Sequence, residues 1–369
     1  MKFFYDLIKN DLRTSFFVLP YVHGKNMKRV TVHDVAAEAK VSLATVDRVL
    51  NGRPGVKAAT IERVNTVVKK IGFTRDWHAA NMAKRRDYKI RFLIPEGDNA
   101  FMALLREEVK AASQVEPQRR TFVEANAIPP FDGEALVREL DNIKKDEFTG
   151  VVFVATDAPG VKEAIKRLTE RGVIPITLVS DIPNSMRAHF VGIDHIAAGR
   201  TAASLLGRFI KPNKGKVAVV AGSMLLRDHV DRRFGFEQVI SSEYQGIEVL
   251  PVCEGLDDNK MTQSLVEALL NTHPDLIGIY NVGAAKRGLI SALKAHKKQE
   301  DVCVVAHDLT DDSREALRDG TFDAVINQDP PHQVRSAIRL VRAYADKSAF
   351  EESQERIKID IFLRDNLID

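Results

Sequence analysis

Residues 88–329 alternate between short apolar segments rich in β-branched residues and amphipathic helical stretches, such as 160–172 and 197–210. This alternation constrains the fold most, because a βαβ series predicts parallel sheets covered by helices. The strand segments are too many for one sheet and indicate two. The predicted strands are residues 89–95, 150–156, 174–180, 189–194, 216–222, 276–282, 301–308 and 322–329.

Polar residues stand at the ends of several predicted strands. In folds of this kind ligands bind beyond the carboxyl ends of the strands. One such residue alone is more often a helix cap or turn former, but together these carboxylates and amides suit a polyhydroxylated ligand. We expect Arg232 to add a donor, and Phe101 and Met102 to stack on an apolar ring face. The strand-end candidates are Asp157, Asp181, Asp194, Asn281, Asp308 and Gln328.

Charge is distributed unevenly along the chain. Residues 27–91 carry 15 Lys or Arg and six Asp or Glu, a net charge of +9, whereas residues 92–369 carry −8. A basic segment that neutralises phosphates releases counterions, which favours a polyanionic partner. A solvated basic face without a partner would have the same composition.

The basic segment is predicted to form three short helices. Apolar residues at positions 32, 35, 36 and 39 define one face of the first helix. Ser42 is a good N-cap for the second helix, and the third spans about 57–71 and is closed by Gly72. The inner faces hold Val46, Val49 and Leu50 in the second helix, and Ile61, Val64, Val68 and Ile71 in the third. This is a helix-turn-helix layout, in which the second helix enters the major groove of DNA.

The stretch "VTVHDVAAEAKVSLATVDRVLNG" (30–52) resembles the head of the lactose-repressor (LacI–GalR) family of bacterial transcription regulators. The family pattern V-T-x-x-D-V-A-x-x-A-x-V-S-x-x-T-V-S-R-V-x-N is met almost throughout. Two departures are Asp47 at the usual Ser, and Lys57 where the third helix often has a Ser cap.

The resemblance implies that three side chains of the second helix read bases: Leu43, Ala44 and Arg48. Arg48 can pair bidentately with guanine, and the two apolar residues suit thymine methyl groups. Backbone or capping roles are expected for Ser42, Thr45, Thr31 and Asn51.

The family also has a hinge helix that folds on the operator and inserts a side chain into the minor groove. The matching linker spans residues 75–87, and a plain basic linker is the alternative. Its residues implied by the resemblance are Ala79, Ala80, Met82, Ala83, Lys84 and Arg85. Met82 occupies the place of the inserted leucine.

From residue 88 the chain looks like the family's effector domain, which is similar to periplasmic sugar-binding proteins. The resemblance carries over Asp308 as the ligand carboxylate, with Arg232, Asn281 and Gln328 as polar contacts. The first lobe is expected over about 88–180 and 328–356, and the second over about 181–327 and 357–369. The stretch "YNVGAAKRG" departs from the commoner N-D-x-x-A, so the effector stays open between a sugar or cyclitol and a purine or other metabolite.

The fold expected is therefore α/β: a helix-turn-helix head (27–74), a hinge, and a two-lobed periplasmic-binding-protein-like (type I) domain with parallel sheets (88–369). Residues 1–26 are expected to be an extension, disordered or not native, since Asp6, Asp11 and Arg13 interrupt any signal sequence.

The function predicted is a cytoplasmic, nucleoid-associated regulator, a repressor by preference, that binds a near-palindromic operator as a homodimer and responds to a sugar-like effector. We expect no cofactor, no metal, no membrane association and no catalytic residue. The phosphate-loop, dinucleotide-binding and zinc-hydrolase motifs of enzymes are absent from the sequence. A transport-type sugar-binding protein and a sugar-metabolising enzyme are the alternatives. Two cysteines, Cys253 and Cys303, fit a reducing compartment.

Overall fold

The computed structural model describes residues 30–50, 54–73, 86–210 and 214–367. The chain divides into two compact units, residues 1–84 and 85–369. Within the described ranges, no helix is both long and apolar enough to cross a membrane.

The first unit contains the three predicted helices: α1 (Val32–Ala39), α2 (Leu43–Leu50) and α3 (Ala58–Lys70). The side chains of Val32 and Ile61, expected inside, are 41% and 37% exposed, because they lie at the ends of their apolar stripes, beyond the reach of so small a core. The buried core consists of Val35, Ala36, Ala39, Val46, Val64 and Val67.

Five parallel strands form the sheet of the first lobe: β1 (Tyr88–Pro95), β2 (Thr121–Ile128), β3 (Gly150–Phe153), β4 (Ile174–Leu178) and β5 (His189–Val191). They lie in the order β2-β1-β3-β4-β5. The helices that connect them are α4 (Ala100–Val115), α5 (Gly133–Asn142) and α6 (Val161–Glu170).

The second lobe has a seven-stranded sheet: β6 (Gly215–Ala221), β7 (Ile247–Val249), β8 (Cys253–Glu254), β9 (Leu276–Asn281), β10 (Cys303–His307), β11 (Ala324–Asn327) and β12 (Asp360–Phe362). The order is β12-β11-β10-β9-β6-β7, with β8 paired to β6. Among the strands that the structure describes, β12 alone runs antiparallel to its neighbour. The helices are α7 (His195–Phe209), α8 (Arg227–Glu243), α9 (Asn259–Thr272), α10 (Lys286–Ala295) and α11 (Asp311–Arg318).

The chain passes between the lobes after β5, after β11 and before β12. The first crossing was expected near residue 181, but β5 pairs with β4 in the first sheet, so the crossing follows residue 191. After β11 the chain returns as α12 (Pro330–Asp346) and α13 (Glu352–Glu355). Helix α12 packs on the first sheet, since a Cβ at Gly150 would lie 2.6 Å from Val341 Cγ1.

All eight predicted strands are present, most of them trimmed at their ends, but four strands were missed: β2, β7, β8 and β12. β2 carries alternating polar residues because it lies at the edge of its sheet. The other three have only two or three residues each, too few for a periodic pattern.

Helices α7 and α8 cross at a distance that only glycine allows. A Cβ at Gly199 would lie 1.9 Å from the backbone oxygen of Arg232, and one at Gly235 would lie 2.1 Å from that of Ile196. Both clashes are with backbone, which cannot rotate away. This contact fixes the position of Arg232 on α8.

We predict that Gly199→Ala destabilises the protein by about 1–3 kcal/mol, the cost of overpacking a filled interior. Without the close contact the change would stabilise a helix by about 1 kcal/mol. The sign of the change in unfolding free energy therefore shows whether the two helices cross this closely. Urea unfolding of the full chain measures it. Arg200→Ala, an exposed change on the same helix, is the control, and a Gly199→Ala variant more stable than the parent would contradict the packing.

Candidate functional site

Helix α2 presents an exposed face in the first unit. Leu43 is 42% exposed, and Ala44 and Arg48 are also exposed. Ser42 Oγ accepts from the amide of Thr45 at 3.2 Å and lies 2.9 Å from Thr45 Oγ1, as a capping role requires. The three predicted base-reading side chains are therefore free of the core.

Two further features define this unit. Thr31 caps α1 in a reciprocal capping box with Asp34, and Lys70 Nζ lies 2.7 Å from Glu38 Oε1, which ties α3 to α1. The hydrogen bond and charge of Lys70 lower the pKa of the Glu38 carboxyl. Asn51 and the six hinge candidates, Ala79, Ala80, Met82, Ala83, Lys84 and Arg85, lie outside the described residues.

A cleft opens between the two lobes in the second unit. It is bordered from the first lobe by Asn99, Phe101, Met102, Val154, Val179 and Ser180, and from the second by Leu226, Asp228, His229, Arg232, Val282, Gly283, Ala284, Asp308 and Gln328. Its free volume is about 20 Å³, whereas small-molecule sites enclose about 300–1,000 Å³. The lobes must therefore separate before a ligand can enter.

Arg232 is 2% exposed and lies at the floor of this cleft. Its Nε donates to His195 Nδ1 at 3.2 Å, and its Nη1 donates to the Val282 carbonyl at 2.9 Å and lies 3.5 Å from Asp228 Oδ2. Burial, with a contribution from the charge of Arg232, lowers the pKa of His195 to about 4. The imidazole is therefore neutral near pH 7 and can accept the bond from Arg232.

Asp308 and Gln328 form a second polar pair at the cleft. Asp308 directly follows β10 and lies in the left-handed region at φ 64°, which an Asp tolerates better than most residues. Gln328 Nε2 donates to Asp308 Oδ1 at 3.0 Å, and Gln333 Nε2 donates to the backbone carbonyl of Gln328 at 2.5 Å and to its Oε1 at 3.3 Å. These bonds hold the Asp308 carboxylate in place.

A direct hydrogen bond crosses the cleft. Asn99 Nδ2 of the first lobe donates to Asp257 Oδ2 of the second at 2.8 Å. Asp257 Oδ1 accepts from the amide of Ala284 at 3.0 Å and would lie 2.4 Å from a Cβ at Gly222 and 3.2 Å from one at Gly283. Leu256 and Asp257 both have positive φ, 48° and 57°, a costly backbone conformation of the kind concentrated at functional sites.

The structure brings together five of the predicted effector residues: Phe101, Met102, Arg232, Asp308 and Gln328. Asn281 ends β9 fully buried, does not border the cleft, and has no hydrogen-bond partner for either amide atom among the described residues.

Three predicted carboxylates do not line the cleft. Asp181 is paired with Arg187 and accepts from Thr177 Oγ1 at 2.7 Å. Asp194 is exposed and caps α7 by accepting from Ala197 N at 2.9 Å. The Asp157 side chain is exposed, although its amide donates to the Leu225 carbonyl across the lobes at 3.0 Å. A polar residue at a strand end can therefore be a helix cap or an ion-pair partner as well as a ligand contact, and its position in the sequence does not show which.

Sequence reasoning missed Asn99, Asp228 and Asp257. Asp228 lies one helical turn before Arg232, and this i, i+4 spacing was the available signal. Asn99 follows β1 in "EGDN", another strand end. Asp257 lies in a loop beyond the two-residue strand β8, so nothing in the local pattern marked it.

Curated relatives and solved structures similar to this chain include regulators and binding proteins. Catabolite control protein A of Staphylococcus aureus (strain MRSA252) is 23% identical over 248 residues, which cover 67% of this chain and 72% of that protein. The protein of the same name from Staphylococcus xylosus is 24% identical over equal shares.

Two solved structures share the fold of the second unit. A glucose-galactose binding protein from Geobacillus stearothermophilus has a TM-score of 0.69 and 18% identity, covering 76% of this chain and 99% of that one. A solute-binding protein from Burkholderia graminis C4D1M, in complex with D-arabinose, has a TM-score of 0.68 and 21% identity, covering 76% and 96%.

Two family models match the two units. The periplasmic binding protein domain matches residues 90–349, and the model of bacterial regulatory proteins of the lacI family matches residues 31–76. The first of these covers more than half of the chain. The predicted α/β fold with a helix-turn-helix head is thereby confirmed. The chain belongs to the periplasmic binding protein domain family over residues 90–349 and has a DNA-binding head of the lacI family over residues 31–76, the combination of a DNA-binding transcriptional regulator.

Proposed function

We propose that this regulator binds a near-palindromic operator as a homodimer and that a polyhydroxylated, sugar-like effector in the interlobe cleft changes its affinity for DNA. The observation that carries the proposal is the presence in one chain of an exposed recognition-type helix α2 and a two-lobed cleft lined by paired polar groups. A transport-type binding protein would need only the two-lobed cleft and not helix α2.

The DNA-binding part rests on α2. Its exposed Leu43, Ala44 and Arg48 lie on a helix whose start is fixed by Ser42. Arg48 offers a bidentate donor pair for guanine O6 and N7, and the two apolar residues suit thymine methyl groups. Two such heads in a homodimer would read two half-sites, which is why a near-palindrome is proposed.

The effector part rests on the cleft. Arg232, Asp308 and Gln328 supply donors and acceptors at its floor, and Phe101 and Met102 supply apolar surface. The glucose-galactose binding protein and the D-arabinose complex with this fold support a sugar or cyclitol as the effector. Because the cleft is nearly filled when closed, ligand entry and exit are coupled to lobe movement, the kind of two-state element that allostery requires.

We predict that Arg48→Ala lowers the preference of the full chain for its operator over scrambled DNA by about 1–3 kcal/mol, the value of one bidentate base contact. The operator is obtained by in vitro selection from a random duplex pool, and fluorescence anisotropy gives both affinities. Arg63→Ala on α3 removes the same charge and should weaken binding to the operator and to scrambled DNA by the same factor. An unchanged preference in Arg48→Ala would show that Arg48 reads no base.

We predict that one compound of a panel of sugars, cyclitols, sugar phosphates and purines stabilises the full chain by about 2.7 kcal/mol at a hundredfold excess over Kd. Thermal shift detects it. Asp308→Asn, which keeps the left-handed backbone and the bond from Gln328, should weaken that ligand about tenfold through the lost charged acceptor. Asp146→Asn, an exposed change, should leave the affinity for the ligand unchanged. If both variants lowered the affinity equally, Asp308 would not be a ligand contact.

We predict that Asn99→Asp opens the ligand-free lobes. Asp keeps the acceptor that caps α4 but replaces the donor that faces Asp257 with a second carboxylate, and like charges repel. Small-angle X-ray scattering of the full chain should give a larger radius of gyration than the parent. The control is Asp132→Asn at the cap of α5, within the first lobe. A scattering curve unchanged by Asn99→Asp would show that this contact does not hold the lobes together.

A further inference from the structure

One arginine and one aspartate that border the cleft each have a side-chain atom without a hydrogen-bond partner among the described residues. Arg232 Nη2 and Asp228 Oδ1 have no hydrogen-bond partner among the described residues, although both residues border the cleft and are 2% and 3% exposed. Their other atoms are engaged, with Arg232 Nη1 3.5 Å from Asp228 Oδ2. A buried polar group left unpaired is costly, so this pair is matched to a ligand group that both accepts and donates.

A hydroxyl is such a group. Its oxygen can accept from Arg232 Nη2 while its hydrogen is donated to Asp228 Oδ1. A phosphate or carboxylate oxygen can accept from the arginine, but it has no hydrogen to donate. It would face the Asp228 carboxylate at close range inside a buried site, where like charges interact strongly.

Among the described residues that border the cleft, carboxylates outnumber the permanently charged cations. Arg232 borders the cleft together with two carboxylates, Asp228 and Asp308. Lys286 is buried and does not border the cleft, and it interacts with Asp308 and Asp257. Two buried histidines next to Arg232 add no charge near pH 7, because burial and nearby cations lower the pKa of His195 to about 4 and that of His307 well below its usual value. At the cleft itself, the two carboxylates thus face one guanidinium.

The helix N-termini at the cleft also disfavour an anion. Asn99 Oδ1 accepts from the amides of Phe101 and Met102 at the start of α4, and Asp228 lies in the first turn of α8. Such positions bind phosphate when their amides are free. At α4 the amides are bonded to Asn99, and at α8 the amide of Arg227 donates to the Ser180 hydroxyl at 3.1 Å while the Asp228 carboxylate repels an anion.

We propose that Asp228 makes this cleft select an uncharged, hydroxylated ligand and reject the phosphate ester or carboxylate of the same sugar. The inference rests on the proposed function, because it names the chemical class of that same effector and adds Asp228 as the residue that sets it. Burial opposes ionisation of Asp228, but His229 and Arg232 outweigh it and lower its pKa, so the selecting charge is retained near pH 7.

The test uses matched pairs with the full chain: D-glucose and D-glucose 6-phosphate, D-arabinose and D-arabinose 5-phosphate, D-galactose and D-galacturonate, with myo-inositol and its monophosphate. Thermal shift finds the pair that binds, and isothermal titration gives both affinities. We expect the uncharged member to bind at least about tenfold more tightly. A charged member that binds equally or better would overturn the inference and leave the proposed function standing.

The role of Asp228 is tested with Asp228→Asn, which keeps the shape and removes the charge. The variant should weaken the uncharged ligand about tenfold, through the loss of a charge-assisted hydrogen bond, and reduce its advantage over the charged partner. Asp146→Asn removes the same charge from an exposed site and should keep both affinities. Circular dichroism at the assay temperature confirms that each variant is folded.

The outcomes separate the two claims. Discrimination unchanged in a folded Asp228→Asn protein would assign selectivity to another residue and overturn the inference. The absence of any shift with every uncharged and charged compound would overturn the effector part of the proposed function, and this inference with it.

Discussion

The close crossing of α7 and α8 is the constraint on which the cleft depends. Glycine at 199 and 235 lets the two backbones meet, and this places Arg232 where it reaches His195 on α7 and the Val282 carbonyl at the end of β9. A buried guanidinium is stable only when its donors are paired. The pairing engages Nε and Nη1 and leaves Nη2 without a hydrogen-bond partner among the described residues.

The contacts that close the two lobes are a second constraint on the cleft. Asn99 and Asp257 meet directly across the cleft, and backbone bonds from Asp157 to Leu225 and from Arg227 to the Ser180 hydroxyl join the same lobes. These contacts stabilise the closed state of the two lobes. An effector can shift such an equilibrium only by its difference in affinity for the two states, so ligand hydrogen bonds that need both lobes carry the coupling.

The fold could be predicted from sequence because its pattern is local. Strand and helix segments of the second unit alternate clearly, and the head has capping and turn residues at the right spacing, so the two sheets and three helices were expected. The crossing after residue 191 was missed because β5 has only three residues, and its membership of the first sheet depends on pairing with β4 rather than on its own sequence.

The site was predicted less well than the fold. Arg232, Asp308 and Gln328 do lie at the cleft, but Asp181 and Asp194 have the same strand-end placement and are used in an ion pair and a helix cap. Asp257 could not be predicted because its position depends on Gly222 and Gly283, which follow the distant strands β6 and β9. Contacts made by residues distant in sequence decide which polar groups remain available to a ligand.

The most direct test of the account is the affinity of the full chain for its selected DNA as a function of the concentration of the cleft ligand. The account predicts that saturating ligand changes this affinity by about 5–150-fold, the usual range of allosteric coupling, and that the change is lost when Asp308→Asn weakens the ligand. An affinity for DNA that stays constant while the cleft is saturated would show that the two units work independently and would contradict the account.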